Sequence, residues 1–300
     1  MPAYTAIHIL YNPNSTGPGK ELSKELYRKL RTTYGELDVE LTATKHAGHA
    51  EDLTYQWASA SKHPLIISVS GDGGYHEVVN GAAKAIAEGK HPITAVLPAG
   101  NANDHFTSFG DFDLYESIVT ESLLRIDLLK LSAEDAHNTI ERLAHSYIGL
   151  GITPNIGKQL TAVKLNMFSE AWIVLRGLLK PRFVRIVVNG KTESYDNVVI
   201  SNIDRMAKYL KLSKNSSPDD GKFELSTQKH VSRLHLYRFL RQATTNKLIP
   251  DSKTDTYSFN TIKQTLVQLD GEVITIPAHS DVTITINKTQ LTCIGPKPTN

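Results

Sequence analysis

Residues 65–81 read LIISVSGDGGYHEVVNG. The run Leu65–Ser70 is apolar on both parities, as a parallel strand covered on both faces requires, and not alternating like a half-exposed one. It ends in Ser70-Gly71-Asp72-Gly73-Gly74, a turn, and a helix is expected from about His76 to Glu88. Working outward, Ala6–Leu10 reads as a strand. Glu21–Tyr34 reads as a helix, because Leu22, Leu26 and Leu30 recur four apart on one face. Asp38–Thr44 is a second strand and His49–Ala60 its helix; on the far side, Ile93–Pro98 is another strand. This alternation predicts an α/β domain built on a mostly parallel, doubly wound sheet, with ligands beyond the carboxyl ends of the strands.

The second half reads differently. Phe183–Val188, Asn189-Gly190 and a partner strand form the strongest short hairpin signal, since Asn-Gly accepts the positive φ of a type I′ turn. From Thr256 to Ile294 short alternating runs imply antiparallel strands. Two helical patterns interrupt them, at about Thr161–Leu179 and Val231–Thr244. The expected division is an α/β domain over 1–127 and a β-rich domain of sandwich type over 128–290, with the option that a last strand, about 291–300, returns to the first.

Composition limits the function. The 300 residues hold 33 Lys+Arg against 31 Asp+Glu, a net charge of +2 that is too small for a dedicated nucleic-acid binder. The lone Cys293 forbids an internal disulfide and a cysteine-rich metal site, so a reducing compartment is expected. With no signal-peptide pattern at MPAYTAIHILYN and no apolar run of about 18 residues, the expectation is a cytoplasmic or peripheral protein. The average hides a division: residues 1–127 sum to −6 and residues 128–300 to +8. Two modules are implied, one facing something anionic.

Three Gly/Asn-rich turns follow three of the strands: Tyr11–Gly17, Ser70–Gly74 and Pro98–Asp104. Glycine permits close approach of backbone to ligand, and the N–H groups at a helix start attract phosphate. Together they point to a nucleotide, although each alone also fits an ordinary strand-to-helix connection. Neither a Walker loop nor a G-x-G-x-x-G after the first strand occurs.

At 70–81 SGDGGYHEVVNG, and at 97–106 LPAGNANDHF, resemble the GGDGT-x-NEV-x-NG and P-x-GT-x-NDF signatures of the diacylglycerol kinase catalytic-domain family, which includes bacterial lipid kinases and sphingosine kinases. Further pieces agree in order: YNPNSTG with NP-x-SG, LTATKHAGHA at 41–50 with T-x-x-x-G-x-A, Asp219-Asp220-Gly221 with DDG, and Leu269–Glu272 with the late DGE. The resemblance implies a nucleotide-binding α/β domain and a β-sandwich domain, with the active site in the cleft. It further implies ATP contacts at Asn12, Thr44, Ser70, Gly71, Asp72, Gly73, Gly74, Tyr75, His76, Glu77, Gly100, Asn101, Asn103 and Asp104. Asp72 would organise the Mg2+–phosphate network. Asp72 equally fits a helix cap, and Glu77 first-turn dipole compensation.

The resemblance places the general base at Glu272 with Asp270. In an extended segment residues i and i+2 face the same way, so the two carboxylates would converge on one alcohol. Asp-Gly is also a routine hairpin turn. A structural Mg2+ is implied at Asp220, with backbone oxygens of Ser217 and Lys222; an Asp-rich turn explains the same residues. Departures are plain: Ser70 stands for the signature's first glycine, Gly74 for its threonine, His76 for its asparagine, and Asn101 for the threonine of the second motif.

Between Asn155 and Asn189 lie Lys158, Lys164, Arg176, Lys180, Arg182 and Arg185 against Glu170 alone, interleaved with apolar residues such as Phe168 and Trp172. An anionic bilayer fits this mixture, as does a core-facing stripe with solvated cations behind it. His46, His49, His76 and His105 lack metal-ligand spacing and read as surface or loop residues. The sequence therefore leads to an ATP- and Mg2+-dependent kinase acting on a diacylglycerol-like lipid at the inner face of a membrane, without nucleic acid and with a homodimer plausible by resemblance. A soluble-substrate kinase similar to NAD kinase and a nucleotide- or lipid-binding protein with weakened catalysis stand as alternatives.

Overall fold

The computed structural model describes residues 4–15, 17–161, 183–208, 210–214, 216–245 and 248–297. The chain divides into two compact units, Met1–Asp127 with Lys288–Asn300, and Leu128–Asn287. In the first unit, strands and helices alternate as β1 (Ala6–Tyr11), α1 (Gly19–Thr33), β2 (Val39–Ala43), α2 (His49–Ala60), β3 (Pro64–Ser70), α3 (Asp72–Ala87) and β4 (Ile93–Pro98). Short helices α4 (Asp104–Ser108) and α5 (Leu114–Val119) follow. The strands lie in the order β2-β1-β3-β4, all parallel, with Ile9 opposite Ile67 and Ile67 opposite Ala95. Crossover helices allow this parallel arrangement. They bury Leu26 and Leu30 of α1 with Ile7, Ile9, Leu65 and Ile67 in one core.

α3 begins at Asp72, four residues before the expected start. Two successive glycines weaken the helical signal, yet Gly71 is extended and the chain is helical immediately after it. The expected glycine turn is thus largely the first turn of a helix.

The second unit is sheet-rich. β5 (Leu123–Glu134) enters it from the first unit and pairs antiparallel with β6 (Thr139–Ala144). β7 (Tyr147–Gly151) leads into α6 (Ile152–Thr161); β8 (Val184–Val188) and β9 (Lys191–Ser201) form the Asn189-Gly190 hairpin, with both turn residues at positive φ. Then come β10 (Arg205–Met206), β11 (Leu210–Lys211), β12 (Phe223–Lys229), α7 (Arg233–Thr244), β13 (Ser252–Thr254), β14 (Thr256–Thr261), β15 (Thr265–Leu269), β16 (Glu272–Ile276) and β17 (Asp281–Ile294). The pairings are antiparallel throughout this unit. Inward residues of ten strands, among them Leu131, Ile148, Ile186, Ile200, Phe259, Val267 and Ile284, share a core. β17 leaves the unit at its end, where Thr292 and Cys293 pair in parallel with Ile93 and Thr94 of β4. Burial pushes the Cys293 thiol up to about 12, so it is an inert core side chain.

A helix already runs over Ile152–Thr161, ahead of the expected Thr161–Leu179; the rest of that expectation, and most of the basic stretch 155–189, lie outside the described residues. Among the described residues no helix is long and apolar enough to cross a membrane.

Candidate active site

The loops that leave the parallel strands meet at their carboxyl ends. Gly71 and Gly100 touch through backbone alone: a Cβ built on Gly100 would stand 2.4 Å from Gly71 Cα. Only glycine tolerates this approach, which explains why both turns carry one. Ala99 N donates to Ser70 O at 2.9 Å, and Thr44 N to Tyr11 O at 2.9 Å, so the four loops are tied in pairs. The loops after β1, β2 and β3 line a cavity of about 310 Å3. Asn12, Thr44, Ser70, Gly74 and Glu77 line it as expected, joined by Asn14, Lys45 and Ser68, which the sequence reading passed over. The wall therefore offers amides, hydroxyls and one ammonium, beside the Glu77 carboxylate, whose oxygens accept from backbone N–H groups. Such a donor set fits a phosphorylated anion.

Other expected ligand contacts are committed elsewhere. The Asp72 carboxylate accepts from Asp104 N at 3.0 Å and His105 N at 2.9 Å, so it caps the start of α4 across the two signature segments. Glu77 accepts from Gly48 N at 2.9 Å and Ala50 N at 3.1 Å. It caps α2, a different helix from its own, while lining the cavity. Asn103 closes its own loop, with Oδ1 accepting from Gly100 N and Nδ2 donating to Gly100 O.

Three expected contacts are corrected outright. Tyr75, His76 and Asp104 are 1%, 2% and 0% exposed, so no ligand reaches them from the cavity. Tyr75 shares a hydrogen bond of 2.9 Å with Thr94 inside the core. A helix starting at Asp72 turns Tyr75 and His76 inward, which a loop would not, and Asp104 is buried at the start of α4. His105 is likewise buried against Tyr75 and Phe109, not a surface histidine. Gly73 and Asn101 remain exposed.

In the second unit Asp270-Gly271 is a two-residue hairpin turn between β15 and β16, with Leu269 opposite Glu272. Asp270 and Gly271 have φ of 50° and 99°. The turn replaces the extended geometry expected for the carboxylate pair. Asp270 is fully buried; its Oδ1 accepts from Ser146 N at 2.9 Å and Tyr147 N at 3.0 Å, and its Oδ2 from His145 N at 2.8 Å. Three backbone donors meet its charge, so it fixes the chain at the start of β7. Glu272, by contrast, is exposed at the first position of β16.

The expected cation at Asp220, Ser217 and Lys222 meets a different arrangement. Asp220 Oδ1 accepts from Lys222 N at 3.1 Å, and Oδ2 lies 2.5 Å from Lys253 Nζ, which also reaches Glu224 at 3.2 Å. Burial pulls the Lys253 ammonium down, but its bonds to Asp220 and Glu224 outweigh this and hold it above the usual lysine range. A resident ammonium already balances these carboxylates, and the residues do not fit a divalent ion there. Among the described residues no group of three or more His, Cys, Asp or Glu is placed to hold a metal.

Residues 6–131 match the family model of the diacylglycerol kinase catalytic domain. The chain is 24% identical over 282 residues to the diacylglycerol kinase of Bacillus subtilis (strain 168), covering 88% of each. It is 28% identical over 113 residues to sphingosine kinase B of Dictyostelium discoideum, 36% of this chain and 14% of that one. The crystal structure of a diacylglycerol kinase from Bacillus anthracis str. Sterne shares its fold, with a TM-score of 0.65, 18% identity and 97% of each chain covered.

Proposed function

We propose that this chain is a lipid kinase, a reading supported by the match of residues 6–131 to the diacylglycerol kinase catalytic-domain model and by the likeness to a bacterial diacylglycerol kinase. It moves the γ-phosphate of ATP to a hydroxyl of a diacylglycerol-like lipid held at the inner face of a membrane. The observation that carries the reading is the cavity lined by the loops after β1, β2 and β3, walled by hydroxyls, amides and Lys45. When bound, ATP with Mg2+ supplies the activated phosphoryl group, its charge spread over oxygens that need donors and cations.

The chain's own residues divide the work. Asn12, Thr44 and Ser70 present polar side chains to the nucleotide, and Lys45 counters phosphate charge. No side chain caps the start of α3, so its first N–H groups, beside Gly74, are directed at a phosphate. Asp72 holds the α4 start against the glycine turn, keeping both loops in register. Glu272 accepts the proton of the lipid hydroxyl as its oxygen attacks the γ-phosphorus; the bond to the bridging oxygen breaks and ADP leaves. Asp270 positions this turn from beneath. For the second unit we read the shared core of its strands as the two-layer sandwich that carries the acceptor lipid.

Purified protein incubated with ATP, Mg2+ and, separately, diacylglycerol, phosphatidylglycerol, a sphingoid base and NAD tests this. A phosphorylated lipid is expected, with Glu272→Gln lowering turnover roughly 10²–10⁴-fold. Phosphorylation of NAD alone would replace the lipid acceptor with a soluble one, and ATP binding without any product would leave a nucleotide-binding protein.

A further inference from the structure

Seven large hydrophobic side chains stand exposed among the described residues, and four of them fall within residues 231–249: Val231 at 65%, Leu234 at 61%, Tyr237 at 64% and Ile249 at 81%. Such clustering is not the scatter expected of single surface apolar residues. α7 already has its core contact on the opposite face, where Leu236 and Phe239, with Leu248, pack against Tyr147, Val199, Met206 and Leu212. Leu234, Tyr237, Arg238 and Arg241 are spaced as one outward stripe. Phe183 extends the apolar ridge, exposed and stacked on His230 with centroids 4.4 Å apart.

Charge specifies what covers this face. Residues 229–249 contain Lys229, Arg233, Arg238, Arg241 and Lys247 and no acidic residue. Lys229 is paired with Glu193 at 3.1 Å. Arg238 and Arg241, with Gln242 and Thr245, line a shallow cavity of about 300 Å3. Two guanidinium groups over one depression, one turn from exposed Leu and Tyr, match the chemistry of an anionic bilayer surface, with phosphates above an apolar layer. A second copy of the chain is a poor partner, because a twofold contact would set these cations against themselves.

We propose that α7 is a membrane-docking helix: its Leu234 and Tyr237, with Val231 just before it, enter the interfacial layer while Arg238 and Arg241 bind the phosphate of an anionic lipid headgroup. The inference rests on the lipid-kinase reading for its choice of a bilayer, and it places the contact on a segment other than the basic stretch 155–189.

Cosedimentation of the full chain with vesicles of phosphatidylcholine, alone or with phosphatidylglycerol, tests it. Binding is expected only where phosphatidylglycerol is present, and to weaken as salt rises. Arg238→Ala and Arg241→Ala should each weaken it roughly five-fold. Leu234→Ser with Tyr237→Ser should weaken it roughly ten-fold or more. Unchanged thermal midpoints, and unchanged phosphorylation of a short-chain diacylglycerol free in solution, show that the variants remain folded and competent. Equal binding to both vesicle types, or undiminished binding by the four-fold variant, overturns the proposal. So does self-association without vesicles that these substitutions abolish. Vesicle binding with this dependence but no phosphorylated lipid would reject the kinase reading and leave the docking surface standing.

Discussion

Asp270 and Glu272 are one glycine apart, and the turn between them gives them opposite environments. Three backbone N–H groups converge on Asp270, whereas Glu272 faces solvent. Asp270→Asn replaces an acceptor by an amide that must point a donor at other donors, and should cost about 1–3 kcal/mol in urea unfolding. Glu272→Gln should leave unfolding unchanged while turnover falls, so the pair separates support from chemistry. At the glycine turn, a Cβ on Gly74 would lie 2.6 Å from both Cβ and Oγ of Ser70. The two departures from the family signature are thus one exchange, with the serine occupying the space that a residue larger than glycine would need. Gly74→Thr should destabilise by about 1–3 kcal/mol through overpacking. Ser70→Gly with Gly74→Thr should recover stability and ATP binding relative to Gly74→Thr alone; strictly additive effects in the double-mutant cycle would reject the coupling.

At the scale of elements, the signature residues turn out to join one helix to another. Glu77 sits on α3 but caps α2, and Asp72 sits on α3 but caps α4. Glu77→Ala should cost about 1–2 kcal/mol, read by thermal or urea unfolding, by leaving Gly48 and Ala50 N–H without their acceptor. It should also weaken ATP binding by calorimetry, since the segment from Thr44 to Ala50 walls the cavity. A loss of binding with no loss of stability would instead make Glu77 a ligand contact. The strands and helices of the first unit were legible because apolar periodicity records which face each element buries. The α3 start was not, because propensity penalises Gly73 and Gly74 while the packing of Ser70 and Gly100 demands small neighbours. Nor was the Lys253 bond to Asp220 legible, since partners 33 positions apart leave no local pattern.

Over the whole molecule the charge division persists once the units are known. Lys288 and Lys297 bring the first unit to −4 and leave the second at +6. A pH effect on global stability is expected from His8, 5% exposed and stacked on Trp57 with centroids 4.3 Å apart. Burial lowers its pKa below the ordinary 6.5, against the pull of Glu40 and Asp38. Its contribution is therefore present above about pH 6.5 and is lost as pH falls through the lower folded value, because the unfolded chain takes up the proton first. Urea unfolding between about pH 7.5 and pH 5 should show a fall with a slope of at most about 1.4 kcal/mol per pH unit from this group. His8→Phe, which keeps the stack, should flatten it; an unaltered slope would assign the loss to other groups.

The amino-acid sequence alone determined the alternation of the first half, the hairpin at Asn189-Gly190 and the ordered motifs that resemble those of the diacylglycerol kinase catalytic domain. All are local patterns, written by period, by backbone preference or by contiguous motif. Only the tertiary structure decided which motif residues face the cavity. Tyr75, His76 and Asp104 lie in the core, Asp72 and Asp270 carry backbone N–H groups, and Asn14, Lys45 and Ser68 join the cavity wall. A carboxylate's role depends on the donors that reach it, and here those donors come from segments up to 125 residues away, brought near by folding.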